Sequence, residues 1–415
     1  MIQRRKVIIG TLGVAAAATA AGAAGCSSSS SPKSDSTGTG STVLTESVAN
    51  NEAPAPVQVT VSPADKATGV SLTKPITVTV QDGTIQTVTV TAGKTKVDGT
   101  VQADGSWQST DDLAYDKTYK VVVTAADKVG TASSQTTTFA TIDPKHVVKV
   151  NFQANSMTSL KTGKTYGAGQ PVIISFSRAV DKEKAEKAIE ITTSPSVEGK
   201  FYWANNMTVH WRPAKYWAAN STIKVNVNIF GLNLGKGMYG EKNASTNFKV
   251  GRQLIAIADN KKHVTKVYVN GKLVRTMKSS FGRGGGTTGA NGEKISFWTA
   301  GGPHVVLSKE RFHTMSSASY GVADPSNPNY YVSDNVEYCT RITYSGEFLH
   351  AAPWNGSLGR ANLSHGCVNL SMSDAKWVYE NFILGDVVDV TNSPRKLPIY
   401  NGLGDWTVSF DKYGA

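Results

Sequence analysis

A cysteine beside a histidine and a glycine is the feature of this sequence best suited to covalent chemistry. Cys367 follows His365 and Gly366, and His350 lies seventeen positions before the cysteine. The thiolate is the attacking form of cysteine, and a pKa of about 8.5 leaves most of the thiol protonated at neutral pH, so a proton acceptor is needed. Glycine lets backbone N–H groups approach a developing oxyanion. The pattern therefore indicates acyl transfer, with Cys367 as nucleophile and His350 as general base.

A buried structural thiol and a zinc site are the alternative explanations of these residues. Free cysteine is often buried as a small hydrophobe, but a structural thiol needs neither the His-Gly pair nor the upstream histidine. Zinc would need His350, His365 and Cys367 together, and one residue separates the last two, which strains tetrahedral binding. We therefore expect no metal, and acyl transfer through a thiol calls for no organic cofactor either. Cys339 lies in a strand pattern without such neighbours and is predicted to be structural; a disulfide between it and Cys367 is not expected, although the sequence leaves it open.

The segment resembles the L,D-transpeptidases of bacterial cell walls, which carry a YkuD-type catalytic domain. The family pattern is a histidine, some fifteen residues, and then Ser/Thr-His-Gly-Cys-hydrophobic-Asn. This chain matches it without a mismatch, as His350 followed by Ser364-His365-Gly366-Cys367-Val368-Asn369. The resemblance extends to residues 345–354 and 315–321 and, in organisation, to the multi-domain, lipid-anchored mycobacterial-type enzymes.

The resemblance implies a substrate and roles for further residues. It implies a peptidoglycan tetrapeptide stem as acyl donor, release of D-Ala, a second stem as acceptor in a 3→3 cross-link, and acylation by carbapenem β-lactams. Backbone N–H groups of His365, Gly366 and Cys367 would hold the oxyanion, and the backbone carbonyl of Ala351 would be the third catalytic element. Six residues are expected at the substrate pocket: Met315, Tyr320, Tyr331, Ser345, Trp354 and Asn369. For Met315, Tyr320 and Tyr331 the alternative is that they only pack under a long loop.

The motif leaves the final acceptor open. The same nucleophile could hydrolyse the thioester, as an L,D-carboxypeptidase, or attach proteins to the wall. In a different class, the chain could be a non-catalytic Ig-like wall-binding protein with an inactive enzyme domain.

Composition limits the partners. The net charge of +12 favours anionic surroundings such as a cell envelope. The Lys and Arg residues are scattered, with no basic helical stripe or RNA-binding aromatic motif, so we expect no nucleic-acid partner. Three cysteines cannot supply a disulfide framework, so hydrophobic cores must hold the fold together.

The N-terminal region is typical of export. Residues 1–26 predict a lipoprotein-type signal peptide with a basic start, an apolar stretch and a lipidated Cys26; a cleaved signal with an incidental cysteine is the alternative. Residues 27–56 are rich in Ser, Thr, Gly and Pro and are expected to be a disordered linker. The protein is thus predicted to be exported and anchored by lipid at the outer face of the cytoplasmic membrane, without a transmembrane span.

The rest of the chain predicts a mainly β protein. Short alternating runs separated by Asp-Gly turns predict an Ig-like sandwich at 57–143, interpreted as a spacer or wall-binding module, and further β-rich runs predict a second Ig-like domain at 144–250. The aromatic residues of the second domain, among them Trp211 and Trp217, are expected in its core and in an inter-domain seam, with a sugar-stacking platform as the alternative. A β-rich YkuD-type catalytic domain is expected at 251–391, with a helix at 373–384 stopped by Gly385, and a tail at 392–415 packing on an upstream domain. The Gly-rich run 282–289 lacks a P-loop ending and is expected to be a flap or a turn.

Overall fold

The computed structural model describes residues 55–415. The predicted signal peptide, Cys26 and nearly all of the predicted linker lie outside the described residues. Within 55–415, no helix has both the length and the apolar character needed to cross a bilayer.

The described chain is mainly β, as predicted, and its sheets fall into three groups along the sequence. The first group has a four-stranded and a five-stranded sheet that share one core, in which Val61 and Val78 of one sheet meet Val121 and Phe139 of the other. Alternating Val and Thr residues produce this pairing because successive side chains point to opposite faces. Its strands are Gln58–Ser62, Ala67–Val70, Thr77–Gln81, Gly83–Ala92, Thr95–Val97, Gly99–Val101, Trp107–Ser109, Thr118–Asp127 and Ala132–Thr141.

The second group has a five-stranded and a four-stranded sheet around one core, a further two-stranded sheet, and a short helix, Lys182–Lys187, whose N-cap is Asp181. Trp211 and Trp217 are buried in that core, which agrees with a packing role for these aromatic residues. Its strands are His146–Val148, Val150–Asn155, Thr158–Ser159, Thr165–Tyr166, Val172–Phe176, Ile189–Ser194, Gly199–Trp203, Thr208–Pro213, Thr222–Val227, Met238–Gly240 and Ala244–Val250.

The third group carries the predicted nucleophile. A five-stranded sheet and a four-stranded sheet enclose a core with the helix Met372–Asn381. Asn270 and Gly271 both have positive φ, 49° and 79°, as the two central residues of a type I′ hairpin turn do. The strands are Leu254–Asp259, Val264–Val269, Lys272–Lys278, Gly286–Thr288, Lys294–Ser296, Gly302–Val305, Ser308–Ser316, Val332–Arg341, Phe348–Ala351, Val368–Leu370 and Val387–Thr391, and the 3-10 helices are Ser317–Tyr320 and Gly404–Thr407.

The predicted end of the helix after the cysteine is wrong. The Ser371 hydroxyl caps the helix by accepting from the Asp374 N–H at 3.1 Å. The helix ends at Asn381, because Phe382 has extended backbone, with ψ 149°, and a fully buried side chain. Gly385, with φ 91°, forms a later turn. Burial of one aromatic ring therefore ends the helix before the glycine is reached.

The segment 392–415 contacts the second group of sheets. Asp405 accepts hydrogen bonds from His210 at 2.8 Å and from the Tyr413 hydroxyl at 2.6 Å. Arg212 lies 4.2 Å from the Tyr413 ring centroid and donates to the Val408 carbonyl at 2.6 Å. The last residues of the chain are thereby fixed to residues almost two hundred positions earlier.

Candidate active site

A cavity of about 750 Å³ opens in the third group of sheets, and the structure places all ten predicted catalytic and pocket residues on its wall. These are Met315, Tyr320, Tyr331, Ser345, His350, Trp354, His365, Gly366, Cys367 and Asn369. Sequence reasoning assigned no role to other lining residues. Among them are Glu347, Arg395 and the hairpin residues Asn291, Glu293, Lys294, Ile295 and Ser296. The residues come from distant segments, so only folding brings them together.

Two short parallel strands bring His350 and Cys367 to the same face of a sheet. The strand Phe348–Ala351 pairs with Val368–Leu370, and His350 lies opposite Asn369. Side chains two positions apart share a face, so Cys367, two residues before Asn369, faces the same way as His350.

A backbone hydrogen bond fixes the tautomer of the His350 imidazole. Its Nδ1–H donates to the backbone carbonyl of Ala351 at 2.8 Å, because a carbonyl can only accept. The lone pair is therefore on Nε2. Burial lowers the pKa of His350 to about 4. The ring also stacks with Trp354, whose centroid is 6.2 Å away and whose side chain is 63% exposed at the cavity rim.

The Cys367 thiol is protonated at neutral pH. Burial raises its pKa to about 12, and the Glu347 carboxylate also raises it, whereas the Phe348 backbone N–H lowers it. The thiol donates to the Gly346 carbonyl at 3.7 Å. No hydrogen bond joins this thiol to His350 in the described residues. In this arrangement the thiol proton is directed at the Gly346 carbonyl and not at the imidazole.

Ser364 shapes the nucleophile loop. Its hydroxyl donates to the Cys367 carbonyl at 2.6 Å and accepts from the Gly366 N–H at 3.1 Å. Gly366 has φ 140°, a conformation that favours glycine. The Gly366 N–H is thus already engaged, whereas those of His365 and Cys367 have no acceptor within residues 55–415. Two of the three predicted oxyanion donors are free to bind a substrate oxygen.

The His365 side chain is held by a hydrogen bond and by two aromatic contacts. Arg283 donates from Nη1 to Nε2 of His365 at 2.7 Å and from Nη2 to Oδ1 of Asn329 at 2.7 Å. The imidazole lies 4.8 Å from the ring centroids of both Phe297 and Tyr331. Burial and the Arg283 charge lower the pKa of His365 to about 4, so this ring is also neutral.

Two loops flank the cavity. One is the hairpin of strands Gly286–Thr288 and Lys294–Ser296. The other is the segment 317–331, called the lid below. A hydrogen bond of 3.0 Å from the Ala290 N–H to the Gly321 carbonyl joins the two. The Gly-rich run predicted to be a flap or turn thus leads into a hairpin beside the site.

A buried carboxylate lies behind the nucleophile loop. Glu347 accepts at Oε1 from the Ala300 N–H and from Arg395 Nη1, both at 3.0 Å. A Cβ added to Gly366 would lie 3.4 Å from this same oxygen. The other oxygen, Oε2, lies 3.9 Å from His304 Nε2, and neither atom has a partner in the described residues.

Cys339 differs from Cys367 in its position, because it does not line the cavity that holds His350. It is fully buried, its thiol donates to the Val336 carbonyl at 3.3 Å, and burial raises its pKa well above the usual range. Both cysteines are free. Within residues 55–415, no group of three or more His, Cys, Asp or Glu side chains is arranged to hold a metal ion.

A thiol and a neutral imidazole on one face of a sheet, beside unengaged N–H groups, define the class of cysteine-dependent acyltransferases. Comparison with known proteins narrows this class. Residues 253–390 match the L,D-transpeptidase catalytic domain, YkuD, and residues 67–233 match a bacterial Ig domain. L,D-transpeptidase 2 of Mycobacterium tuberculosis is 39% identical over 363 residues, which cover 86% of this chain and 84% of that protein. The chain therefore belongs to the L,D-transpeptidase family.

The chain is also similar to a second transpeptidase sequence and to a solved structure. L,D-transpeptidase 5 of Mycobacterium tuberculosis is 33% identical over 370 residues, covering 87% of this chain and 76% of that protein. A solved structure of L,D-transpeptidase 3 from the same organism, in complex with a faropenem-derived adduct, is 30% identical, with a TM-score of 0.46 over 58% of this chain and 97% of that one. Membership of this family of cell-wall enzymes implies a location outside the cytoplasm.

Proposed function

We propose that this L,D-transpeptidase forms 3→3 peptidoglycan cross-links by ping-pong acyl transfer through Cys367. The observation that carries the proposal is the fixed tautomer of His350, whose Nδ1–H is committed to the Ala351 carbonyl while Nε2 is available on the face shared with Cys367. A neutral base beside a protonated thiol suits proton transfer coupled to attack.

In the first half-reaction, the thiol turns from the Gly346 carbonyl and its proton passes to Nε2 of His350. The sulfur bonds to the carbonyl carbon of meso-diaminopimelate in a donor tetrapeptide stem. The N–H groups of His365 and Cys367 receive the oxyanion, stabilising charge only as it develops. The carbon–nitrogen bond then breaks, the imidazolium protonates the leaving nitrogen, and D-Ala departs from the thioester.

In the second half-reaction, the side-chain amine of another stem attacks the thioester. His350 takes the proton from the attacking nitrogen, the carbon–sulfur bond breaks, and the proton returns to the sulfur. The same thioester could instead be hydrolysed, or accept an amine of a protein. Which of these happens depends on the acceptor that reaches the cavity past the hairpin and the lid.

The test is incubation of the purified protein with a disaccharide-tetrapeptide, followed by mass spectrometry. We expect a cross-linked dimer and free D-Ala. Tripeptide without dimer would make the enzyme an L,D-carboxypeptidase instead. Absence of any D-Ala release would contradict the proposal and favour a non-catalytic wall-binding protein.

The two cysteines provide a matched control for the nucleophile. After addition of a carbapenem, wild type and Cys339→Ala are expected to carry one covalent adduct, and Cys367→Ala none. Cys339 is off the cavity wall, so its removal leaves the site intact. An adduct that persists in Cys367→Ala would overturn the assignment of the nucleophile.

We also propose that the enzyme is exported and held at the membrane by lipid on Cys26, with 57–143 and 144–250 acting as Ig-like spacer domains. The support is the lipoprotein-type signal sequence. Cell fractionation tests the anchor, since Cys26→Ala should move the protein from the membrane to the soluble envelope fraction. Unchanged membrane association would refute it.

A further inference from the structure

Arg395 enters the active-site cavity from the C-terminal segment. Its side chain is 27% exposed and lines the cavity. Its backbone is fixed, because the Gly301 N–H donates to the Arg395 carbonyl at 2.7 Å and the Leu397 N–H donates to the Gly301 carbonyl at 2.8 Å. The guanidinium is therefore held at a defined place in the wall.

One edge of this guanidinium is occupied and the other is free. Nη1 donates to the Trp298 carbonyl at 3.1 Å and to Glu347 Oε1 at 3.0 Å, which uses both of its hydrogens. Nε and Nη2 have no acceptor within residues 55–415, and neither is among the buried atoms that lack a partner. The Nε–Nη2 edge is thus reachable by a ligand. Two parallel N–H groups on one guanidinium edge match the two oxygens of a carboxylate.

The position of Arg395 connects it to the nucleophile through one residue. The oxygen of Glu347 that accepts from Arg395 is the same oxygen that packs beside Gly366 in the nucleophile loop. Glu347 thereby orients the guanidinium and leaves its Nε and Nη2 atoms free. A group bound to the Nε–Nη2 edge would lie in the same cavity as Cys367.

Few positive charges line the cavity. Among the described residues on its wall, only Lys294 and Arg395 carry a permanent positive charge, since both wall histidines have pKa values of about 4. A stem peptide carries carboxylates close to the bond that is broken. An anionic substrate in a partly buried cavity needs a paired cation, because desolvation of an unpaired carboxylate is costly.

We propose that the free Nε–Nη2 edge of Arg395 binds a carboxylate of the donor stem peptide, with Glu347 as the residue that positions the guanidinium. This inference rests on the proposed function. Two carboxylates have the required chemistry: the C-terminal carboxylate of the leaving D-Ala and the side-chain carboxylate of meso-diaminopimelate. The experiment distinguishes between them.

The test measures kcat/KM for D-Ala or D-alaninamide release from three donors: the tetrapeptide, its C-terminal amide, and the tetrapeptide with an amidated diaminopimelate carboxylate. Wild type is compared with Arg395→Gln, Arg395→Lys and the neighbouring Lys396→Gln, which removes an exposed charge off the cavity wall. Loss of a hydrogen-bonded charge pair is worth about 10- to 100-fold. We expect Arg395→Gln to lower kcat/KM by that factor with the tetrapeptide. The same variant should lower kcat/KM little with the donor in which the carboxylate that Arg395 binds is already amidated. Arg395→Lys should lower kcat/KM by an intermediate factor.

The donor that becomes insensitive to the substitution identifies the bound carboxylate. An equal loss with all three donors would indicate a purely structural role and overturn the inference, as would no loss at all. If Arg395→Gln does not fold, the comparison of the three donors on wild type still tests the inference. Equal kcat/KM values of wild type with all three donors would also overturn the inference. Failure of the proposed function is distinct, since wild type would then release nothing from any donor.

Discussion

Arg283 and His365 are joined by a hydrogen bond of 2.7 Å from Nη1 to Nε2. Because Nε2 accepts, a neutral His365 must carry its proton on Nδ1. The same guanidinium donates to Asn329 in the lid at 2.7 Å and lies 4.7 Å from the Phe297 ring centroid. One side chain thus joins the lid to the residue two positions before the nucleophile.

Replacing Arg283 by alanine should slow acylation of Cys367 by a carbapenem about tenfold or more. The charge-assisted bond to His365 is worth about 1.5–3 kcal/mol, and its loss releases the loop that presents the oxyanion donors. Arg283→Lys should lie between wild type and alanine. The measurement is the rate of adduct formation followed by mass spectrometry.

Asn329→Ala is the matched control for that prediction, because it removes the lid contact and leaves the His365 bond in place. We expect it to slow acylation less than Arg283→Ala does. Equal rates for the two variants would show that Arg283 acts only through the lid.

The pKa values of the catalytic pair predict an unusual pH dependence. With His350 at about 4 and Cys367 at about 12, the free enzyme holds a neutral pair and not a thiolate beside an imidazolium. Carbapenem acylation, which uses the base, should be nearly constant between pH 5 and 8 and fall as pH approaches about 4. Alkylation by iodoacetamide, which needs the thiolate, should keep rising with pH across that range. An alkylation plateau near neutral pH would contradict the neutral pair.

Acid should destabilise the fold through the same histidine. The unfolded chain has a His350 pKa of about 6.5 and the folded chain about 4, so between these values the unfolded state binds more protons and stability falls as pH decreases. For a side chain this buried, the loss is of the order of 3 kcal/mol at most, by linkage. Thermal unfolding at pH 7 and pH 4.5 measures it, and His350→Gln should show a smaller drop. An identical drop in the variant would assign the acid sensitivity to other groups.

Ser364→Ala should slow acylation about tenfold and lower the free energy of unfolding by about 1–3 kcal/mol. The hydroxyl makes both side-chain bonds that close the nucleophile loop, and each bond contributes about 0.5–1.5 kcal/mol. Ser364→Thr should retain most activity. Ser357→Ala is the control, since that hydroxyl makes no hydrogen bond in the described residues. Wild-type rates in Ser364→Ala would show that the glycine conformation alone holds the loop.

Local sequence was sufficient to predict the nucleophile segment and the mainly β fold. Residues 364–367 directly precede the strand Val368–Leu370, so the contacts of Ser364 with Gly366 and Cys367 depend on neighbours that the motif itself contains. Alternation of apolar residues likewise determines which face of each strand is buried.

Long-range partners could not be predicted in this way. Glu347 and Arg395 are 48 positions apart, and Arg283 and His365 are 82 apart. Neither arginine lies in a motif, and their contacts depend on the register of strands that sequence periodicity leaves open. The acid at 347 beside apolar Phe348 and Leu349 was the one local sign of an unusual buried charge.

The placement of Arg395 has a practical consequence for anyone who cuts this protein into parts. The match to the catalytic domain ends at residue 390, five positions before Arg395. A fragment that ends at that boundary would keep Cys367 and His350 but lack Arg395. Glu347 would then have no cationic partner, and the cavity wall would lack the Arg395 side chain. Inhibitor screens run on such a trimmed fragment would select compounds for a wider, more acidic opening than the intact enzyme presents.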